Sequence, residues 1–136
     1  MSATEQLNHF LNLYGRKIKV QLSLKEGVCA LFDSQDQEVA IVELPQGSDS
    51  VLFHCRIETL KGDPAPEALK TLLALNFEMN AMRGCWLALD GEENLRLCSQ
   101  YPVATLDETL FAQNLEGFML QAQQVREFVM EVVQTA

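Results

Sequence analysis

The sequence lacks the short motifs by which most small enzymes are recognised. Its 136 residues contain no glycine-rich phosphate loop, no Gly-x-Ser-x-Gly, no His-Glu-x-x-His, no calcium-binding loop and no dinucleotide fingerprint. Four cysteines are present, but none forms a Cys-x-x-Cys pair or follows a zinc-ligand spacing. We therefore expect no catalytic residues, no metal ligands and no cofactor. A small enzyme of unrecognised family is retained only as an alternative.

Basic residues are scarce in this chain. Ten lysines and arginines stand against 19 acidic residues, which gives a net charge of -9 and a pI near 4.6. Such a field repels phosphate backbones and anionic lipid surfaces, so we expect neither nucleic acid nor a membrane as a partner. The acidity is consistent with ordinary solubility and also with attraction to basic protein clients, and charge alone does not decide between the two.

Long apolar runs are also missing. No run approaches the roughly 18 residues that a bilayer span requires, and the first six residues have neither the basic nor the apolar region of a secretory signal. Hydrophobic residues nevertheless make up 48% of the chain, too many for a disordered acidic tail. We expect one globular domain over residues 1–136, located in the cytoplasm.

The cysteines and histidines do not suggest a nucleophilic site. Each cysteine lies in an apolar, strand-like run, where a reduced thiol behaves as a small hydrophobic side chain. His54 and Cys55 are neighbours in the sequence, but adjacent residues of a strand point to opposite faces, which disfavours a cysteine hydrolase. We expect the four cysteines to be reduced core residues: Cys29, Cys55, Cys85 and Cys98.

The first half of the chain predicts a helix followed by a meander. Residues 2–14 form an amphipathic helix, with a capping box from Ser2 and Glu5 and an end at Gly15. Residues 19–24 alternate as a short strand or an extended segment does. Three strands then follow with short polar connections, which favours antiparallel pairing. They cover residues 28–33, 38–44 and 51–58.

A second helix is predicted from Asp63-Pro64 to about Met82. Its apolar residues occupy more than one stripe, so more than one side of the helix must be covered. A second subunit and another helix of the same chain are both possible covers. The apolar residues are Leu69, Leu72, Leu73, Leu75, Phe77, Met79 and Met82.

The last third predicts a hairpin and a long helix. Residues 85–90 and 95–101 flank a turn near Asp90-Gly91. Thr105 and Glu108 form a second capping box, which begins a helix of about 28 residues. The fold class is therefore α+β, an antiparallel twisted sheet with three helices in the order α-βββ-α-ββ-α.

This order of elements, together with the size and acidity, resembles the class I type III secretion chaperones, the CesT/SycE-like or Tir chaperone family. The resemblance covers nearly the whole chain. It is carried by the strands 27–33, 38–44 and 51–58, by the leucine-rich second helix, and by residues 95–102 running into 106–110.

The resemblance implies a homodimer that works without ATP. Such a dimer binds the N-terminal chaperone-binding segment of an effector, keeps it non-globular and aids its delivery to the secretion apparatus. We expect a client segment that is disordered when free to add a strand to an exposed sheet edge. A regulatory or adaptor protein of the same fold that binds a secretion-system partner is the alternative.

Residue roles follow from the resemblance at the level of secondary-structure elements. The residues placed near the dimer seam are Leu72, Leu75, Met79 and Trp86. The residues placed near client-binding grooves are Leu7, Phe10, Leu11, Tyr14 and Phe32. Because one apolar stripe of a helix normally faces inward, the side chains from the first helix are equally compatible with a purely core position.

Overall fold

The computed structural model describes residues 1–60, 62 and 64–135. The elements in chain order are α1 (Ala3–Ile18), β1 (Val28–Phe32), β2 (Glu38–Glu43), β3 (Ser50–Thr59), α2 (Pro66–Leu75), α3 (Met79–Met82), β4 (Trp86–Leu89), β5 (Asn94–Pro102), a 3-10 turn (Val103–Thr105) and α4 (Glu108–Thr135).

The sheet has five strands in the order β1-β2-β3-β5-β4, so β1 and β4 are its edges. Strands β1 and β2 pair antiparallel, with Val28 opposite Glu43. Strands β4 and β5 also pair antiparallel, with Trp86 opposite Cys98. The expected α+β class with an antiparallel sheet is confirmed.

Helix α1 starts as expected and ends later than expected. Ser2 caps it, and the capping box with Glu5 is present. The prediction that Gly15 ends the helix is wrong, because the helix continues to Ile18. Gly15 is needed for another reason. The chain folds back over it, and a Cβ at this position would lie 2.3 Å from the carbonyl oxygen of Val20.

Residues 19 and 20 form the turn that ends α1, and residues 21–24 belong to no strand of the sheet. Residues 21–24 are nevertheless fixed, because Leu22 is buried and the backbone N–H of Leu24 donates to Oδ1 of Asn8 at 2.8 Å. Of the alternating apolar residues only Leu22 is buried, whereas Val20 is 53% exposed, so the alternation did not indicate a strand here.

The second predicted helix is divided in two. Helix α2 ends at Leu75 and the short α3 covers only Met79–Met82. Its start also differs, because Pro66 is the first helical residue and Ala65 stands at the cap without a side-chain hydrogen bond. The predicted cap, Asp63, lies outside the described residues.

Helix α4 has the expected length of 28 residues. Its first turn is held by Asp107, whose Oδ1 accepts the N–H of Leu110 at 2.7 Å. The predicted capping role of Thr105 is wrong, because the Thr105 hydroxyl donates to the carbonyl of Pro102 at 2.7 Å instead. Asp107 lies directly before the first helical residue, which is where an N-cap side chain acts.

Two compact units interleave along the chain. Unit 1 comprises Met1–Phe53 and Gln100–Gly117, and unit 2 comprises His54–Ser99 and Phe118–Ala136. The core of unit 1 contains an aromatic cluster in which the ring of Phe111 lies 5.5 Å from that of Phe10 and 5.8 Å from that of Phe53. In unit 2 the buried Gln121 donates to the carbonyl of Ala81 at 2.6 Å, which holds α3 to α4.

Candidate functional site

The edge of β1, in unit 1, is occupied at Val28 and offers main-chain groups at Ala30. The N–H and C=O of Val28 both bond to Lys25, at 3.1 and 2.8 Å, so they point away from β2. Because backbone direction repeats every second residue in a strand, the N–H and C=O of Ala30 also point to the outer edge. The side chain of Val28 is 37% exposed and that of Phe32 59% exposed. This edge offers main-chain pairing between two exposed apolar side chains.

The edge of β4, in unit 2, is blocked by a side chain. The N–H of Leu87 donates to Oδ1 of Asn76 at 2.7 Å, and Nδ2 of Asn76 donates to the carbonyl of Leu87 at 3.2 Å. The amide of Asn76 thus occupies both outward main-chain groups, as a neighbouring strand would. The break between α2 and α3 places Asn76 at this position. The outward groups of Leu87 are thus held by a side chain, whereas those of Val28 are held by the main chain of Lys25.

A groove of about 340 Å³ runs between α1 and the start of α4 in unit 1. His9 lies 3.9 Å from Glu108, and Lys17 lies 3.4 Å from Glu116. His9 and Lys17 are eight residues apart on α1, as Glu108 and Glu116 are on α4, so the two helices run in the same direction and the two pairs are separated by about 12 Å along each helix. The groove is lined by Leu13, Tyr14, Lys17, Glu108, Thr109, Ala112, Gln113 and Glu116.

Tyr14 forms part of the wall of this groove. Burial raises the pKa of its phenol, and the negative charge of Glu116 raises that pKa further. The phenol therefore stays protonated at neutral pH. It gives the groove a hydrogen-bond donor beside the apolar side chain of Leu13.

Unit 2 carries a set of exposed apolar side chains on α2, α3 and β4, which we name the α2–β4 surface. Leu73 is 71% exposed, Phe77 81% and Met79 74%. Apolar side chains with this exposure are typical of an interaction surface. Phe77 lies in the connection between α2 and α3, and Trp86 and Leu89 stand on opposite faces of β4. The surface consists of Leu69, Leu73, Phe77, Met79, Trp86 and Leu89.

A polar network fixes the hairpin of unit 2. Nε of Arg96 donates to Oδ2 of Asp90 at 2.8 Å, and the N–H groups of Glu92 and Asn94 donate to Oδ1 of Asp90 at 2.8 and 3.0 Å. The Arg96 guanidinium and these backbone donors hold the pKa of the Asp90 carboxyl well below its usual range. All of these groups serve the turn, so Asp90 is a structural carboxylate.

The four cysteines are free thiols. Burial raises the pKa of Cys85 to about 11, with Cys98 as a second cause, and burial also raises the pKa values of Cys29 and Cys98. These thiols are weak nucleophiles at neutral pH. In the ranges 1–60, 62 and 64–135, no group of three or more His, Cys, Asp or Glu side chains is arranged to hold a metal ion. Across the same residues, no helix has both the length and the apolarity to cross a bilayer.

The residues expected near a client divide into two groups. Leu7 and Leu11 are fully buried, and Phe10 and Tyr14 are 8% and 6% exposed, so α1 presents these side chains mainly to the core. Only Phe32 stands on the surface. Leu7 and Leu11 cannot touch a client while this packing persists.

The residues expected at the dimer seam are also divided. Leu72 is only 4% exposed and Leu75 is partly buried, whereas Met79 and Trp86 lie on the α2–β4 surface. Sequence reasoning missed Leu73, Phe77 and Leu89 as surface residues. The signal for the first two was present, because they belong to the second apolar stripe that one small sheet cannot cover.

The edge of β1, the groove between α1 and α4 and the α2–β4 surface are features through which proteins bind other chains. The chain belongs to the CesT family of Tir chaperone proteins, whose family model matches residues 7–126. The sequence-based recognition of this family is confirmed. No curated protein matches the sequence.

Several solved structures share the fold. The ExsC–ExsE complex contains a chain with a TM-score of 0.76 and 16% identity, covering 98% of this chain and 97% of that one. The HopA1–SchA chaperone–effector complex gives 0.72 and 17%, covering 92% and 96%. The heterodimeric ExoU–SpcU complex from the type III secretion system of Pseudomonas aeruginosa gives 0.68 and 14%, covering 96% and 99%.

Proposed function

We propose that this protein is a cytoplasmic type III secretion chaperone. It binds the N-terminal chaperone-binding segment of an effector, keeps that segment non-globular and aids its delivery to the secretion apparatus. Membership of the CesT family supports this function. So does the similarity to chains in chaperone–effector complexes. Binding without catalysis agrees with the raised thiol pKa values and with the structural role of Asp90.

The observation that carries the proposal is the outer edge of β1 at Ala30. A client segment pairs its main chain with Ala30, which requires no particular sequence, and sets alternate side chains against Val28 and Phe32. These side chains supply the preference for apolar residues in the client. In β4, a strand of only four residues, the outward groups of Leu87 are already bonded to Asn76.

We further propose that the groove between α1 and α4 receives a second part of the client. The 340 Å³ groove offers apolar wall from Leu13 and the ring and phenol of Tyr14. In this proposal the enclosed Leu7 and Leu11 support the groove from beneath and do not touch the client. Phe10 lies between these two roles, since it is 8% exposed.

The α2–β4 surface is proposed to bind a second copy of the chain. A surface of Leu73, Phe77 and Met79 in contact with water is unfavourable, and pairing with itself across a two-fold axis is the commonest way to bury it. The proposed function therefore places self-association in unit 2. Client binding is placed in unit 1.

Hydrogen–deuterium exchange tests the client site directly. A client is first identified by mass spectrometry of proteins that co-purify from the native host, and its N-terminal fragment is then added to the purified protein. We expect slower exchange at Ala30 and its neighbours in β1 and loss of protease sensitivity in the fragment. Residues 86–89 of β4 serve as the internal control edge. Unchanged exchange in β1, or protection confined to β4, would contradict the proposed site.

A further inference from the structure

The end of α1 forms a basic corner, which we define as residues 16–20: Arg16, Lys17, Ile18, Lys19 and Val20. All five are exposed, and the apolar Ile18 and Val20 are 40% and 53% exposed. Residues 16–25 contain four of the ten basic residues of the chain and no acid. A positive, partly apolar surface is unexpected on a protein with a net charge of -9.

The corner is held in one conformation by its backbone. The N–H of Val20 donates to the carbonyl of Gly15 at 2.8 Å, and the N–H of Lys19 donates to that of Arg16 at 3.4 Å. This is the Schellman pattern of helix ends. Because the backbone is already fixed, a partner that binds here orders little more than side chains.

The residue at the left-handed position of this motif is a lysine. Lys19 has φ 63°, a conformation that favours glycine. The chain therefore carries a charged side chain at a position where glycine fits the backbone with less strain. The same conformation occurs at Arg83, which ends α3, so it assigns no role to Lys19 by itself; it makes Lys19→Gly a substitution that the backbone tolerates.

The charges of the corner are only partly used within the chain. Lys17 pairs with Glu116, but neither Arg16 nor Lys19 has an ion-pair partner among residues 1–60, 62 and 64–135. Bases in the last turn complement the helix dipole, which accounts for Arg16 and Lys17. The dipole does not account for Lys19 beyond the helix or for the exposure of Val20.

We propose that the basic corner is a docking site for an acidic protein segment that also carries apolar side chains. Carboxylates of the partner pair with Arg16 and Lys19, and its apolar side chains cover Ile18 and Val20. An anionic membrane fits less well, because an extended surface experiences the charge of the whole acidic protein. A short segment experiences mainly the charges within a Debye length, about 8 Å at physiological ionic strength. This inference does not rest on the proposed function.

The test measures binding of a short fluorescein-labelled peptide of alternating Glu-Glu and Leu-Leu pairs by fluorescence anisotropy. The variants are Lys19→Gly and Arg16→Gln, and the matched control is Lys70→Gln, which removes an exposed lysine from α2 in unit 2. We expect each corner variant to weaken binding, the two together by about fivefold, and added salt to have the same effect. The control variant should bind as the original protein does.

Lys19→Gly separates binding from folding. Glycine relieves the strain at φ 63°, so the melting temperature should stay the same or rise while peptide affinity falls. A control peptide in which lysine replaces glutamate should bind the corner variants as tightly as, or more tightly than, it binds the original protein.

Three results would overturn the proposal. The first is that the peptide shows no saturable binding to the original protein. The second is that the corner variants bind the peptide as tightly as the original protein does. The third is that the original protein, but not the corner variants, sediments with vesicles of phosphatidylserine and phosphatidylcholine while the peptide does not bind. The last result would assign the corner to a lipid surface.

Discussion

The side-chain amide of Asn76 forms hydrogen bonds with both main-chain groups of Leu87, at 2.7 and 3.2 Å. We expect Asn76→Ala to lower the free energy of unfolding by about 2 kcal/mol, because two partly buried backbone groups lose their partner. Urea denaturation measures this change. Asn80→Ala, an exposed position in α3, should change stability by less than about 0.5 kcal/mol. If Asn76→Ala changed the free energy of unfolding as little as Asn80→Ala, the Asn76 amide would be dispensable for stability.

Two glycines in helices are expected to respond in opposite directions to alanine. Gly15→Ala should destabilise the protein, because its Cβ would lie 2.3 Å from the carbonyl oxygen of Val20. Gly117→Ala should stabilise it by about 0.5–1 kcal/mol, because no atom lies within 4 Å of the added Cβ and alanine is the better helix former. Thermal melting of both variants provides the comparison. A stabilising Gly15→Ala would mean that the chain 20–22 does not cross the helix at this point.

Charged substitutions should distinguish the exposed residues from the core residue Leu72 in the segment 72–77. Leu73→Glu and Phe77→Glu change side chains that are 71% and 81% exposed, so they should leave the fold intact and prevent self-association. Leu72→Glu changes a side chain that is 4% exposed and should unfold the protein. Light scattering after gel filtration gives the mass. We expect about twice 15.3 kDa for the original chain and 15.3 kDa for Leu73→Glu and Phe77→Glu. An original chain of 15.3 kDa at micromolar concentration would remove the dimer proposal.

The Cys85 thiol should make stability depend on pH in the alkaline range. Its pKa is raised from 9.0 to about 11 by burial, so the folded state retains a proton that the unfolded state loses. The stabilising contribution is therefore complete below pH 9 and is lost as the pH rises through 11. We expect the difference in free energy of unfolding between the original protein and Cys85→Ala to shrink across this range. A difference that is constant from pH 8 to 11 would contradict the raised pKa.

Periodicity alone predicted most of the elements. The alternation of residues 28–33, 38–44 and 51–58 gave three strands, and the polar connections between them gave the antiparallel order. The long helix after residue 107 followed from its single apolar face. These features depend on residues that are close together in the sequence, so the order of apolar and polar residues is enough to predict them.

The features that the sequence did not reveal depend on contacts between distant residues. Asn76, at the end of α2, bonds to Leu87, eleven residues away, and asparagine within an apolar run gives no signal of such a partner. The burial of Leu7 and Leu11 and the exposure of Phe77 likewise depend on which other parts of the chain pack against each side chain. The sequence indicates that the second helix has more apolar surface than one sheet can cover, but it does not indicate which of these apolar side chains are exposed.

The interleaving of the two units affects how the protein is made. Lys17 meets Glu116 across 99 positions, and unit 1 needs residues 100–117 to be complete. During translation α1 therefore leaves the ribosome long before its neighbour α4 is synthesised. The apolar face of α1 stays exposed to solvent until then. No single truncation isolates either unit, and unit 1 is completed only after residues 100–117 have been synthesised.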